Sequence, residues 1–332
     1  MKIGILFGGN SLEHEISIIT AYQLKNKLKD KYDIIMLYMD FNSNIYIADK
    51  VSIKDFKNST LKKLKKTRLE NGGIEKVKID SIIIANHGEN GEDGISAALC
   101  EFYNIPYVGA SIFAGSLSID KWLTYNYLSN CGIPMLKTKI YTYDDYLSGK
   151  EIEEYPIIIK PVKGGSSLGI FTCDNKEDLD DKLVKAFGYS KELIIQRYYP
   201  NIKEYNMAVY SNGYSNLEEI KSKSDIFSFN NKYNESFKQF HQRLVDNRID
   251  EFKEICRNVY NLINAKGIIR LDFFMLDDKI YVNEVNTTPG ALSMYLIDDF
   301  IKVIDDEIKL SIINKKPIYT KGNFLSSTEI NK

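Results

Sequence analysis

The sequence predicts an α/β opening followed by α+β segments, and three observations predict it. Residues 2 to 7, KIGILF, form an apolar run ended by Gly8-Gly9, and a segment of helical spacing and two further apolar runs follow. From about residue 115 helix and strand patterns are mixed. Residues 268 to 290, IIRLDFFMLDDKIYVNEVNTTPG, read as two strands joined by a short turn.

In chain order, NSLEHEISIITAYQLKNKL is the first helix, and YDIIMLYM and DSIIIANHG are the next strands. This β-α-β pattern implies a mostly parallel sheet, with ligand groups expected where strands end in Gly-rich turns. Gly8-Gly9 and HGENGEDG (87 to 94) are such turns. Glu13 follows GGNS, where a carboxylate favours a helix N-terminus in any case. His87 opens the second turn and suits either an active-site lining or a satisfied structural imidazole. The lysine-rich stretch from Lys50 to Lys78 is expected to be a solvated helix face of the first domain.

SLSIDKWLTYNYLSNCG (116 to 132) predicts one helix, on which Lys121 after Asp120 would ordinarily be solvated. A strand is expected after Pro134. YPIIIKPVKGGSSLGI sets Lys160 at the end of an apolar strand, before the loop Lys163-Gly164-Gly165-Ser166-Ser167. That loop suits either wrapping phosphates or a plain hairpin turn, and it is not a P-loop because GxxxxGK[ST] is absent. ELIIQRYYPNIKEYNMAVYSN predicts a strand pair, and EFKEICRNVYNLINAKG a helix before the final hairpin. Three domains are expected, at 1–110, 111–190 and 191–332.

The 332 residues are enough for several cores, and Lys+Arg 44 against Asp+Glu 45 leaves a net charge of -1, which favours neither nucleic acid nor an anionic membrane as partner. Cys100, Cys131, Cys173 and Cys256 are scattered without a CxxC pair, as suits reduced thiols in a soluble, cytoplasmic chain. The first turn reads GGNSLE rather than GxGxxG, which argues against a dinucleotide-dependent dehydrogenase.

The last hairpin carries polar groups among apolar ones. With a three-residue turn at Asp277 to Lys279, Asp272 pairs with Glu284, Arg270 with Asn286 and Phe274 with Val282, on one face. Two carboxylates ~5 Å apart repel by ~3 kcal/mol at an effective dielectric of ~20, so a cation between them is expected. With the Asn286 amide they form a hard oxygen set suited to Mg²⁺ or Mn²⁺. The competing reading is that Arg270 neutralises both carboxylates in a structural network.

Taken together, LFGGNSLEHEIS, HGENGEDG, IPYVGAS, SLSIDK, IIIKPVKGGSSLGI, FSFNNKY and the hairpin motif, in that order, resemble the D-alanine:D-alanine ligases of the ATP-grasp superfamily, over nearly the whole length. The resemblance implies an ATP-grasp fold, with an N-terminal parallel-sheet domain followed by two α+β domains sandwiching ATP. It implies that Lys121 and Lys160 hold the ATP phosphates, that loop 163–167 with Ser167 covers them, that Glu204 takes the ribose and that Lys232 reaches the γ-phosphate. Asp272, Glu284 and Asn286 would bind two Mg²⁺. Glu13 would anchor the first amino acid's ammonium with His87 lining the pocket, Ser166 and Tyr233 would partner this glutamate, and Arg270 with the Gly290 backbone N–H would hold the oxyanion. The implied reaction joins two D-amino acids through an acyl phosphate, and the family is usually dimeric.

The chain departs from that pattern in places. After Gly290 it reads ALSMYL where the family has a His-Ser-Leu run, so Ser293 or Tyr295 is expected to meet the second substrate's carboxylate. Met294-Tyr295 also admits another acceptor, such as a different D-amino acid or a hydroxy acid, although the retained Tyr233 favours an amine. Gln196 stands where a glutamate usually meets adenine, and Phe227 and Phe229 replace usual tyrosines. A non-catalytic nucleotide-binding protein is the alternative from another class.

Overall fold

The computed structural model describes the chain apart from residues 60, 76, 166, 222–239, 244–247, 316 and 318–332. Ser166, Lys232, Tyr233, Phe227 and Phe229 therefore lie outside the described residues.

The Lys2–Gly8 strand lies parallel to Asp33–Met39 on one side and to Ser81–Ile84 on the other. A strand paired on both edges and covered on both faces is apolar throughout, which is why KIGILF lacks alternation. Tyr107–Val108 extends this six-stranded sheet in parallel, and Ile45–Ile47 and Lys65–Thr67 extend it antiparallel at the other edge. The lysine-rich stretch is thus not one helix. Ile53–Lys57 is a short helix, Lys65–Thr67 is the edge strand, and Leu69–Glu70, Gly73–Ile74 and Val77–Lys78 form a three-stranded sheet. Lysine suits an exposed edge because charge there discourages pairing with another chain.

Residues 116–132 also differ from the single helix expected. Helices Ile112–Ser118 and Lys121–Asn130 are separated at Asp120, whose carboxylate accepts from Leu123 N at 2.9 Å and caps the second. The break puts Lys121 in a first turn, with its backbone N–H donating to Val162 O at 2.9 Å.

Thr138–Thr142, Glu192–Arg197, Ile157–Pro161 and Phe171–Cys173 form a four-stranded antiparallel sheet. Lys203–Tyr210 belongs to another sheet, paired with Glu218–Lys221 and with the hairpin strand Ile269–Leu276. The strands expected as a pair therefore part at residues 198–202, and sheet membership carries the middle segment through Arg197.

Under the hairpin, Phe252, Cys256 and Val259 of helix Ile249–Leu262 pack on Leu271, Phe273, Val282 and Val285. That core covers one face of the hairpin and leaves the other for polar groups. Helix Phe300–Ile313 returns to the first sheet: Phe300, Ile304 and Ile308 share a core with Ile3, Ile5, Phe7, Leu292 and Ile297. On its surface Asp305 accepts from the Tyr32 hydroxyl and pairs with Lys31 at 3.1 Å and Lys309 at 2.7 Å. All four cysteines are free thiols, and among the described residues no helix is long and apolar enough to cross a membrane.

Candidate active site

The polar hairpin gains its shape from two local devices. Asp277 and Asp278 both have left-handed backbone, φ 49° and 56°, so the turn has two residues rather than three and pairs Leu276 with Lys279. Phe274 consequently faces Tyr281 and not Val282. A bulge then absorbs one extra residue opposite the Asp272–Phe273 step, and beyond it the pairs Arg270–Asn286 and Asp272–Glu284 stand as expected. Because of the bulge, Asn283 and Glu284, consecutive in sequence, both line the cavity between buried Val282 and the next pairs.

That cavity, about 1030 Å³, is bounded by residues of the four-stranded sheet and the hairpin sheet, and by helix His14–Leu28 with the HGENGEDG turn. On its floor Arg270 grips Asp272 with two hydrogen bonds, Nε at 2.6 Å and a second at 2.9 Å. Burial opposes the guanidinium charge, yet Asp272, Tyr295 and Glu284 hold its pKa well above the ordinary value. Lys121 Nζ stands 3.3 Å from Glu284 and donates to the Gly164 carbonyl at 2.6 Å. Asp272 is thus paired with Arg270 and Glu284 with Lys121, while the Glu284 charge also acts on Arg270.

Lys160, 7% exposed, donates to Asn283 Oδ1 at 3.3 Å and lies over the Phe274 ring. Burial pulls its ammonium down to about 8, with Lys121 adding to the effect and Glu284 and Glu204 opposing it. Glu204 and Gln196 line the far end, where the Gln196 amide nitrogen donates to Thr138 Oγ1 at 2.8 Å. Gly164, Gly165 and Ser167 overhang the cavity from the loop joining Ile157–Pro161 to Phe171–Cys173. A side chain at Gly165 would have its Cβ 2.6 Å from Glu13 Oε2, so any larger residue there would displace the Glu13 carboxylate.

Glu13 stands at the start of helix His14–Leu28 on the opposite wall. Beside it His87, 3% exposed, bonds Thr20 Oγ1 through Nε2 at 2.8 Å and has Nδ1 3.7 Å from Glu92 Oε1. Burial raises the Glu92 carboxyl; His87 opposes that, and Glu13 and Glu284 add to it.

At the other end, Gly290, Ala291 and Tyr295 line the cavity. A Cβ at Gly290 would meet nothing within 4 Å, so this backbone opens directly to a ligand. The Tyr295 hydroxyl bonds Arg270; burial raises its pKa and Arg270 counters. Ser293 is a correction to the expectation above. Ala291, Leu292 and Ser293 form a left-handed run, φ 50°, 49° and 54°, which turns Ser293 fully inward and off the cavity wall, with its Oγ unbonded.

Glu13, His87, Lys121, Lys160, Ser167, Gln196, Glu204, Arg270, Asp272, Glu284, Asn286, Gly290 and Tyr295 thus meet in one cavity. Sequence reasoning passed over Thr20, Glu92, Asn206 and Asn283, which line it too. Glu92 was legible, since it lies inside the Gly-rich HGENGEDG turn. Asn283 was not, because only the bulge turns it inward.

Residues 2–110 match the family described as D-ala D-ala ligase N-terminus, and residues 128–316 match D-ala D-ala ligase C-terminus. The chain is 34% identical to a D-alanine–D-alanine ligase of Thermosipho africanus over all of both chains. Among solved structures, the D-alanine-D-alanine ligase from Helicobacter pylori superposes with a TM-score of 0.81 at 32% identity, covering 96% of this chain and 100% of that one. The VanG D-Ala:D-Ser ligase from Enterococcus faecalis gives 0.76 at 27%, covering 94% and 98%.

Proposed function

The chain belongs to the D-alanine–D-alanine ligase family, and from that membership we propose how its own residues divide the work of an ADP-forming ligase. The fold is the ATP-grasp fold, and the reaction joins two D-amino acids, D-alanine with D-alanine, for peptidoglycan precursor synthesis. The observation that carries the division of roles is the Asp272–Glu284 pair, set beneath Lys121 and Lys160 in a cavity whose opposite wall bears Glu13.

In this reading ATP lies between the four-stranded sheet and the hairpin. Its adenine meets Gln196, whose carbonyl oxygen remains available because the amide nitrogen serves Thr138, and its ribose meets Glu204. Lys121, Lys160 and Lys232 neutralise the phosphates, and the loop bearing Ser167 covers them. Asp272, Glu284 and Asn286 are all hard oxygen donors and fit two Mg²⁺, or Mn²⁺. Among the described residues no three His, Cys, Asp or Glu converge on a point, so phosphate oxygens would complete the shells. Bound there, the ions supply neutralisation of charge on the transferring phosphoryl group.

Glu13, with Ser166 and Tyr233 as partners, holds the ammonium of the first D-alanine beside His87. The carboxylate of this D-alanine attacks the γ-phosphorus, ADP leaves, and a D-alanyl acyl phosphate remains. The amine of the second D-alanine attacks its carbonyl carbon, and Arg270 and the Gly290 N–H stabilise the oxyanion, about 3 kcal/mol per well-placed donor, before phosphate departs. The closed glycine loop keeps water from the acyl phosphate.

Tyr295 is the group we assign to the acceptor carboxylate, as Ser293 is turned away. A different acceptor is the second reading, favoured by the same Tyr295 wall and by similarity to a D-Ala:D-Ser ligase. Three domains divided near residues 110 and 198–202, a homodimer and a cytoplasmic location belong to the proposal as well.

Phosphate release with ATP, Mg²⁺ and D-alanine, with mass spectrometry of the product, tests it. D-alanyl-D-alanine as the main product, lost on chelation of the metal, is expected. Turnover only with D-serine or a hydroxy acid would transfer the assignment to the second reading, and no turnover with any acceptor would overturn both.

A further inference from the structure

We propose that Thr20 is a positioning residue that fixes the tautomer of His87 and, through the same oxygen, anchors the turn after Gly290, so that the pockets for the two substrates are set by one side chain. Thr20 lies on helix His14–Leu28, 1% exposed, two turns from Glu13. Its Oγ1 is 2.8 Å from His87 Nε2 and accepts from the Ala291 backbone N–H at 3.3 Å.

Hydrogen counting gives the consequence. A threonine hydroxyl has one hydrogen and two lone pairs. Ala291 N–H takes one lone pair, and the hydroxyl could then give its hydrogen to His87 Nε2 or accept from it; the Glu92 carboxylate, an acceptor facing Nδ1, selects the first, with Nε2 unprotonated. The neutral ring therefore carries its hydrogen on Nδ1, facing Glu92 Oε1 3.7 Å away. Glu92 in turn takes a hydrogen bond on its backbone carbonyl from Thr287 Oγ1 at 3.3 Å, in the strand end that leads to Gly290. The Gly-rich loop and the Gly290 turn thus meet at two points, through the buried side chains of Thr20 and Thr287.

The turn needs such an anchor. Ala291, Leu292 and Ser293 are consecutive non-glycine residues at positive φ, a conformation L-residues enter at a cost of about 1 kcal/mol or more each. Leu292 is held in the core beside helix His14–Leu28. Ala291 N–H is the backbone donor of that run that reaches the helix side chain, and it adjoins Gly290, whose N–H the proposed mechanism uses.

The inference rests on the ligase reading for its kinetic arm but not for its spectroscopic one. Thr20→Val keeps the shape and removes the hydroxyl, and Thr20→Ser keeps the hydroxyl. The chain has three histidines, so His87 imidazole nitrogens are assigned by the loss of one set in His87→Gln. In ¹⁵N spectra the wild type and Thr20→Ser are expected in the Nδ1–H tautomer, with Thr20→Val shifted to a mixture. In turnover, Thr20→Val is expected to lose about ten- to a hundredfold in kcat, a misplaced donor at the reacting centre, with Thr20→Ser recovering most of it. An unchanged tautomer in Thr20→Val, or a serine variant no better than valine, overturns the proposal. Absence of turnover in the wild type would instead fault the ligase reading and leave the tautomer result standing.

Discussion

Lys160 and Asn283 face each other across the cavity floor at 3.3 Å, and they do so because one bulge places Asn283 on the same side as Glu284. In a regular ladder, strand alternation would put Asn283 on the face opposite Glu284. The bulge lets two consecutive side chains serve the phosphate end.

Replacing Asn283 by alanine should leave Lys160 without its acceptor while preserving the backbone. A lost hydrogen bond to a charged group corresponds to about 1.5–3 kcal/mol, so KM for ATP should rise about tenfold or more. Circular dichroism and melting should stay near wild type. An unchanged KM for ATP would remove Asn283 from the site.

Lys160 gives a pH dependence with a definite sign. Its folded pKa is pulled down to about 8 from the ordinary lysine value, so the ammonium is intact well below pH 8 and is progressively lost above it. Phosphate binding favours the charged form, so ATP binding should take up a proton above pH 8, and KM for ATP should climb by up to about tenfold per pH unit there. Lys160→Arg, always charged, should flatten that climb. A KM for ATP that is flat from pH 7 to 9.5 in the wild type would refute it.

Tyr295→Phe tests the acceptor end. Loss of a hydroxyl bonded to a carboxylate should raise KM for the second amino acid about tenfold, with KM for ATP unchanged. A fall in kcat at constant KM would mean that Tyr295 acts through Arg270, which it also touches.

Asp305 ties the returning C-terminal helix to the first sheet through Tyr32 and Lys31, and Lys309 of its own helix also pairs with it. These partners hold its carboxyl well below the usual range although burial opposes them. A depressed carboxylate pKa stabilises the fold above the unfolded value near 4 and loses that contribution as pH falls below it. Because solvent reaches the cluster, Asp305→Asn should cost only about 1 kcal/mol, a Tm drop of about one to three degrees at pH 7 that is clearly smaller at pH 2, as the pH approaches the depressed folded pKa. An equal drop at both pH values would assign the effect to packing.

The sequence by itself determined the parallel opening sheet, the polar face of the hairpin and the family. Each is local or near-local: KIGILF is apolar without alternation because both its faces are covered, and Arg270 with Asp272, like Glu284 with Asn286, share a strand face by parity. It did not determine the hairpin turn, since a bulge and a two-residue turn together reproduce the register of a three-residue turn at the far end. Nor did it reveal that Glu192–Arg197 and Lys203–Tyr210 enter different sheets, because adjacency in sequence carries no information about lateral partners. The inward rotation of Ser293 and the meeting of Thr20 with His87 and Ala291 were decided only by tertiary structure. They join segments more than 60 residues apart, held by the shared core of Leu292 and the first helix, and no local periodicity encodes such a contact.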